Sequence, residues 1–164
     1  MTAIPIIVRR GLAKDIPTLV EFNVAMAHET EQKALDVATV QRGVQGMFDG
    51  RGTGFYLVAE TEQLPDSRRV VGALMVTYEW SDWRNGWFWW IQSVYVHPEF
   101  RRRGVFRALF EFLKQEAEKQ TDVCGMRLYV ENENKVAQKT YETLQMTMTP
   151  YRMYELEFCR VGTD

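Results

Sequence analysis

The chain has 164 residues, 46% of them apolar and 13% aromatic, and a formal net charge of −2. That length and composition suit one domain over residues 1–164, with a core over about 6–158. The near-neutral charge excludes a global field for nucleic acid or an anionic membrane. Two cysteines exclude a disulfide framework, and no apolar run approaches the ~20 residues of a membrane span.

Residues 6–10 alternate as a strand, and Gly11 breaks it. Asp15-Ile16-Pro17 opens a helix that ends near His28, with Asp15 as its cap and Pro17 in the first turn. Residues 38–49 form a second helix, and Gly50, Gly52 and Gly54 mark the turn after it. Strands follow over 55–60 and 70–79, joined by a hairpin turn over 63–68 that contains Pro65-Asp66. Asn85-Gly86 signals a tight hairpin turn into a strand over 87–96. In the helix over 105–119, Phe106, Leu109, Phe110, Leu113 and Ala117 share one face, which should pack on the sheet. A strand over 126–131, a helix over 134–144 and a final hairpin around Thr149-Pro150 complete the order. A hairpin meander followed by a strand–helix–strand crossover implies a mixed α/β (α+β type) fold.

Two segments carry chemistry. The run from Val94 to Leu109 ends a strand at His97-Pro98, turns through Arg101-Arg102-Arg103 and opens a helix at Gly104. The first N–H groups of a helix lack internal partners, and its dipole makes that end positive. A phosphate group can dock there, and Gly104 permits positive φ and close approach. Downstream, Arg127-Leu128-Tyr129-Val130-Glu131 alternates as a strand, Asn134 suits a helix cap, and Ala137, Tyr141 and Leu144 follow at helical spacing.

Together these segments resemble the GNAT superfamily of acetyl-CoA-dependent N-acyltransferases. The first matches its Arg/Gln-x-x-Gly-x-Gly/Ala signature as Arg101-x-x-Gly104-x-Phe106, with Phe106 in place of the second glycine. The second matches Asn-x-x-Ala-x-x-x-Tyr-x-x-Leu through Asn134, Ala137, Tyr141 and Leu144, then departs at Gln145-Met146, where Gly-Phe is usual. The resemblance implies a mostly antiparallel sheet of about seven strands flanked by about four helices. It implies acetyl-CoA as co-substrate, with the pyrophosphate on the amides of Arg102, Arg103, Gly104, Val105, Phe106 and Arg107. Arg101, Arg102 and Arg103 could reach a further phosphate or be solvated. The pantetheine arm would pair with Val94, Tyr95 and Val96 and with Asn134, and an amide N–H near Val94 would polarise the thioester carbonyl. Tyr141 would protonate the departing thiolate; taken alone, it reads as core packing.

The base that accepts the amine proton is left open. Family members place a Glu on the fifth strand where this chain has Tyr129, and Glu131 shares that face two residues on. Glu79 is the first candidate, and Gln92 could hold a water. All five tryptophans lie between positions 80 and 90. They read as sheet packing, as a dimer interface, or as a wall for a cationic amine built from Trp80, Trp83 and Asp82, with Glu29 and Glu31 closing the cleft.

His28 and His97 lie far apart, and no metal is expected. The apolar start meets Arg9-Arg10 without a preceding basic region, so no secretory signal is read, and a cytoplasmic protein with reduced Cys124 and Cys159 is expected. The acceptor would be a small-molecule or peptide amine, and a homodimer suits the aromatic cluster. The competing readings are an acyl-CoA sensor or scaffold without transfer, and a nucleic-acid or protein interaction module that uses the arginines and tryptophans.

Overall fold

Four α-helices and one sheet form from the apolar periods in the computed structural model, which describes residues 5–65, 69–156 and 158. In chain order the elements are β1 (Ile7–Arg10), α1 (Ile16–Glu31), α2 (Val37–Phe48), β2 (Gly54–Glu60), β3 (Val70–Ser81), β4 (Gly86–Val96), α3 (Val105–Glu118), β5 (Val123–Leu128) and α4 (Lys135–Thr143). Two compact units divide the chain, one ending at Leu128 and the other starting at Tyr129.

In the first unit the strands lie in the order β1-β2-β3-β4-β5. β1 to β4 are antiparallel neighbours, and β5 runs parallel to β4 after the α3 crossover. Among the described residues the sheet therefore has five strands, not about seven. The expected hairpin around Thr149-Pro150 forms no ladder among the described residues, and Tyr151, Met153, Tyr154, Leu156 and Phe158 stay exposed. Alternation gives a segment strand character, but only a neighbouring backbone makes it a strand. β5 also ends at Leu128, short of the expected residue 131, because its ladder with β4 stops at the Ile91–Leu128 rung.

The two sheet faces have different covers. On one, α1 and α2 pack Ile16, Leu19, Val20, Phe22 and Val44 against Tyr56, Val58 and Ala73. On the other, α3 buries Val105, Leu109, Phe110, Leu113 and Ala117. Each fully buried Val, Leu, Ile or Phe among them stabilises the fold by about 1.5–3 kcal/mol. Strand alternation then assigns Glu79, the partner of Phe88, to the α1 face, and Tyr78 and Trp80 to the α3 face.

At the β1 edge, Asp15 takes the N-cap position of α1 but makes no cap bond. Its carboxylate accepts instead from the Leu12 N–H and from Arg9 NH1, both at 2.7 Å, while Arg9 NH2 reaches Glu60 at 2.5 Å. Burial pushes the Asp15 carboxyl up, but the bonds from Arg9 and Leu12 outweigh it and hold it below the ordinary value. This network ties β1 to β2 and to the start of α1.

Candidate active site

The start of α3 is unlike the starts of α2 and α4. Asp36 caps α2 by accepting from Thr39 N–H at 2.8 Å, and Asn134 caps α4 by accepting from Ala137 N–H at 3.1 Å. No side chain caps α3. Its cap residue, Gly104, has φ 85°, and a Cβ there would meet nothing within 4 Å. Open space therefore lies beside Gly104, where the first N–H groups of a 14-residue helix carry its positive end. Arg102, at φ 62°, and Arg103, which lies 5.6 Å from the Phe100 ring centroid, border that space. This donor set fits a polyphosphate.

β4 leads into this cradle, and its two edges differ. Toward β3 it is paired from Gly86 to Val96, with Gln92 bulged between Ile91 and Ser93. Toward β5 the ladder covers only Trp87 to Ile91. His97 N–H donates to the Val71 carbonyl at 2.9 Å, so antiparallel alternation turns Ser93 and Tyr95 toward β3. Val94 and Val96 then direct their N–H and C=O groups to the edge that β5 has left. Of these, the Val96 carbonyl accepts from Arg101 Nε at 2.9 Å.

Arg101 therefore does more than border the cradle. Its NH2 donates to Glu29 of α1 at 2.5 Å, and the Tyr95 hydroxyl donates to the other Glu29 oxygen at 2.8 Å. The bonds from Arg101 and then Tyr95 hold the Glu29 carboxyl below its usual value. Burial, then the Glu29 carboxylate, raise the Tyr95 phenol. The Tyr95 ring lies 5.0 Å from Phe22 and lines a pocket with Asn23, Met26, Tyr56 and Ser93, whose free space, solvent at its mouth included, is ≈ 220 Å³. Glu29, Tyr95 and Arg101 are brought together; the pocket was not foreseen, because helix and strand meet there through tertiary packing.

Further along the α1 face, Gln92 Nε2 donates to Thr77 Oγ1 at 2.8 Å, and Glu79 accepts from Arg127 of β5. Arg127 was not among the expected site residues. It stands 48 residues from Glu79 in sequence, and its place opposite Trp90 in the parallel ladder is the only signal that relates them.

Trp80, Asp82 and Trp83 lie elsewhere. Trp80 pairs with Trp87 at the far end of β4, about 30 Å along the strand from Val96, and on the α3 face. The tight turn expected at Asn85-Gly86 is a loop over 82–85, in which Asp82 Oδ1 accepts from Trp83 N–H at 2.8 Å and Asn85 takes φ 46°. Trp83 is 89% exposed. Sheet pairing keeps Trp80 on a different face from Glu79, and Asp82 and Trp83 follow in the loop at the far end of β3 and β4.

In the second unit, Glu131 accepts from Glu133 N–H at 2.7 Å beside the Asn134 cap, and burial raises the Tyr141 phenol on α4. Among the described residues no cluster of His, Cys, Asp and Glu could hold a metal, and no helix is long and apolar enough to cross a membrane. Cys124 is exposed and free, with its thiol 3.3 Å from the Trp87 carbonyl; Cys159 lies outside the described residues.

The acetyltransferase (GNAT) family model matches residues 20–145. No curated protein matches the chain in sequence. A possible acetyltransferase from Clostridium difficile 630 is 44% identical, with a TM-score of 0.84 over 94% of this chain and 99% of that one. A ribosomal-protein-alanine N-acetyltransferase from Brucella melitensis biovar Abortus 2308 is 15% identical, with a TM-score of 0.72 over 94% of this chain and 100% of that one. A transcriptional regulator from Bacillus halodurans C-125 is 16% identical, with a TM-score of 0.76 over 94% and 100%. The last two show shared fold alone. The match over most of the chain, together with the 44% identity, shows that this protein belongs to the GNAT acetyltransferase family.

Proposed function

We propose that the protein transfers an acetyl group from acetyl-CoA to a primary amine in a ternary complex. The observation that carries this reading is the uncapped, glycine-led start of α3 next to the open half of β4. One accepts phosphate; the other accepts an extended amide-bearing arm, as an added strand would be accepted. The amides of 102–107 hold the pyrophosphate. Val94 N–H, on the open edge, donates to the thioester oxygen, where negative charge develops during attack.

The amine reaches this edge from the α1 face. Glu79 accepts one proton from the ammonium, the nitrogen lone pair forms the C–N bond, and the C–S bond breaks with its electron pair on sulfur. Tyr141 supplies a proton to the thiolate and is reprotonated by the one that the new amide nitrogen sheds. A raised phenol pKa suits this role, since the group must stay protonated until the thiolate forms. Asn134 serves both as helix cap and as a partner of the arm. Tyr78, Trp80 and Trp83, all exposed, would serve a homodimer interface better than the amine site, and a cytoplasmic location completes the reading.

Calorimetric titration with acetyl-CoA tests it. The wild type should bind at micromolar concentration. Gly104→Asp keeps the open space and a residue that tolerates positive φ, but places a carboxylate in the cradle; it should bind at least 10-fold more weakly. Absence of wild-type binding overturns the proposal.

A further inference from the structure

A feature of the α1 face goes beyond what amine transfer requires. Arg127 reaches from β5 across Phe88 of β4 and donates through NH1 to Glu79 Oε1 of β3. Its guanidinium carbon lies 3.6 Å from the centre of the Phe88 ring. Gly125 makes this layer possible, since a Cβ there would stand 2.8 Å from that ring. The arginine and glutamate side chains are 38% and 40% exposed. Both also have unused capacity. A guanidinium carries five donors in a fixed fork, and a carboxylate has two accepting oxygens; their one described bond links NH1 to Oε1.

Position gives this pair its meaning. The β4–β5 ladder ends at Ile91–Leu128, and Trp90–Arg127 is the rung before it. An extended arm laid along the open edge of β4 from the start of α3 must stop where the two strands meet. Such an arm would bring its acyl group toward this junction, where Trp90–Arg127 is the neighbouring rung and the Arg127 guanidinium, over Phe88, holds Glu79.

We propose that Glu79 and Arg127 form the acceptor subsite for a zwitterion, a free amino acid whose ammonium bonds the open oxygen of Glu79 and whose carboxylate takes the open donors of Arg127. This inference rests on the acetyl-transfer reading above. The four charges then alternate in sign around one contact, and neither protein charge loses its partner. A simple amine must compete with Arg127 for Glu79, and a polyamine brings a second positive charge against the guanidinium. A carboxylate meets the guanidinium fork through two parallel bonds, which an amide cannot match.

The experiment compares wild-type kcat/KM for matched acceptors: free amino acids, their C-terminal amides and their decarboxylated amines, with acetyl-CoA binding followed calorimetrically in the same samples. The free amino acid should be preferred by roughly 10–100-fold, the value of a charged hydrogen-bond pair. Arg127→Gln should collapse that ratio through KM, and Arg127→Lys should restore part of it. Amides or decarboxylated amines preferred over the free acids, or a ratio unchanged in Arg127→Gln, overturn the zwitterion subsite while leaving acetyl transfer standing. Acetyl-CoA bound with no transfer to any carboxylated amine also overturns it. Failure of acetyl-CoA to bind overturns the transfer reading itself.

Discussion

The two halves of β4 have similar sequence character and different pairing. From Trp87 to Ile91 the strand is paired on both edges, to β3 and to β5. From Ser93 to Val96 only the β3 edge is paired. Gln92, the bulged residue, separates the halves. In the first half every backbone group is committed to the fold. In the second, Val94 points two of them at no neighbouring strand, and the helix start at the end of the same segment lacks a cap. Polar backbone left open by one ladder is available to a ligand, so one half of the strand is committed to the fold and the other is left for the proposed binding site.

The sharpest way to break this contrast is to place proline in each half. Trp89→Pro removes an N–H directed at β5 from a doubly paired strand and a buried indole; the expected loss exceeds about 3 kcal/mol, with no cooperative melt by circular dichroism. Val94→Pro removes an N–H that no strand uses. It should melt within a few degrees of wild type and bind acetyl-CoA at least 10-fold more weakly in the same calorimetric assay. Equal destabilisation by the two variants would show that the open edge is structural.

Tyr141→Phe sharpens the contrast by separating binding from turnover. It should lower kcat by about 10²-fold, typical of a lost general acid, while acetyl-CoA affinity measured by titration stays unchanged. An equal fall in affinity would make Tyr141 a packing residue.

The β1 edge supplies a purely structural control. Asp15→Asn leaves Arg9 with one carboxylate partner, Glu60, and should cost about 2–4 kcal/mol, between an exposed and a buried pair. The folded Asp15 carboxyl is held below its ordinary value. Its stabilisation is therefore complete above the unfolded pKa and is lost as pH falls through the folded one. Denaturant titrations from neutral pH downward should show an acid-side loss that Asp15→Asn flattens. The smallest effect is expected at Glu29, which is 36% exposed in its pair with Arg101. Glu29→Gln should change stability by at most ~1 kcal/mol and acetyl-CoA affinity only a few-fold, read from melting curves and titrations.

Local features were legible early. The cradle is contiguous in sequence, since a strand end, Pro98, a basic turn and Gly104 follow one another within ten or so residues of helix α3, and the Asn134 cap lies three residues from the amide it accepts from. Alternation alone also assigns Glu79 and Trp80 to opposite faces, although residue types had grouped them. The strand count failed because the segment after α4 has the alternation of a strand without a described neighbour.

By itself, then, the amino-acid order determined the helices, the strand cores and the glycine-led, uncapped start of α3, because each depends on contacts or periodicities spanning a few residues. Tertiary structure decided where β4 bulges, where β5 leaves it, that Arg101 bonds Glu29 across 72 positions, and that Arg127 meets Glu79. Those outcomes depend on register between strands, and register is set by the packing of both sheet faces at once.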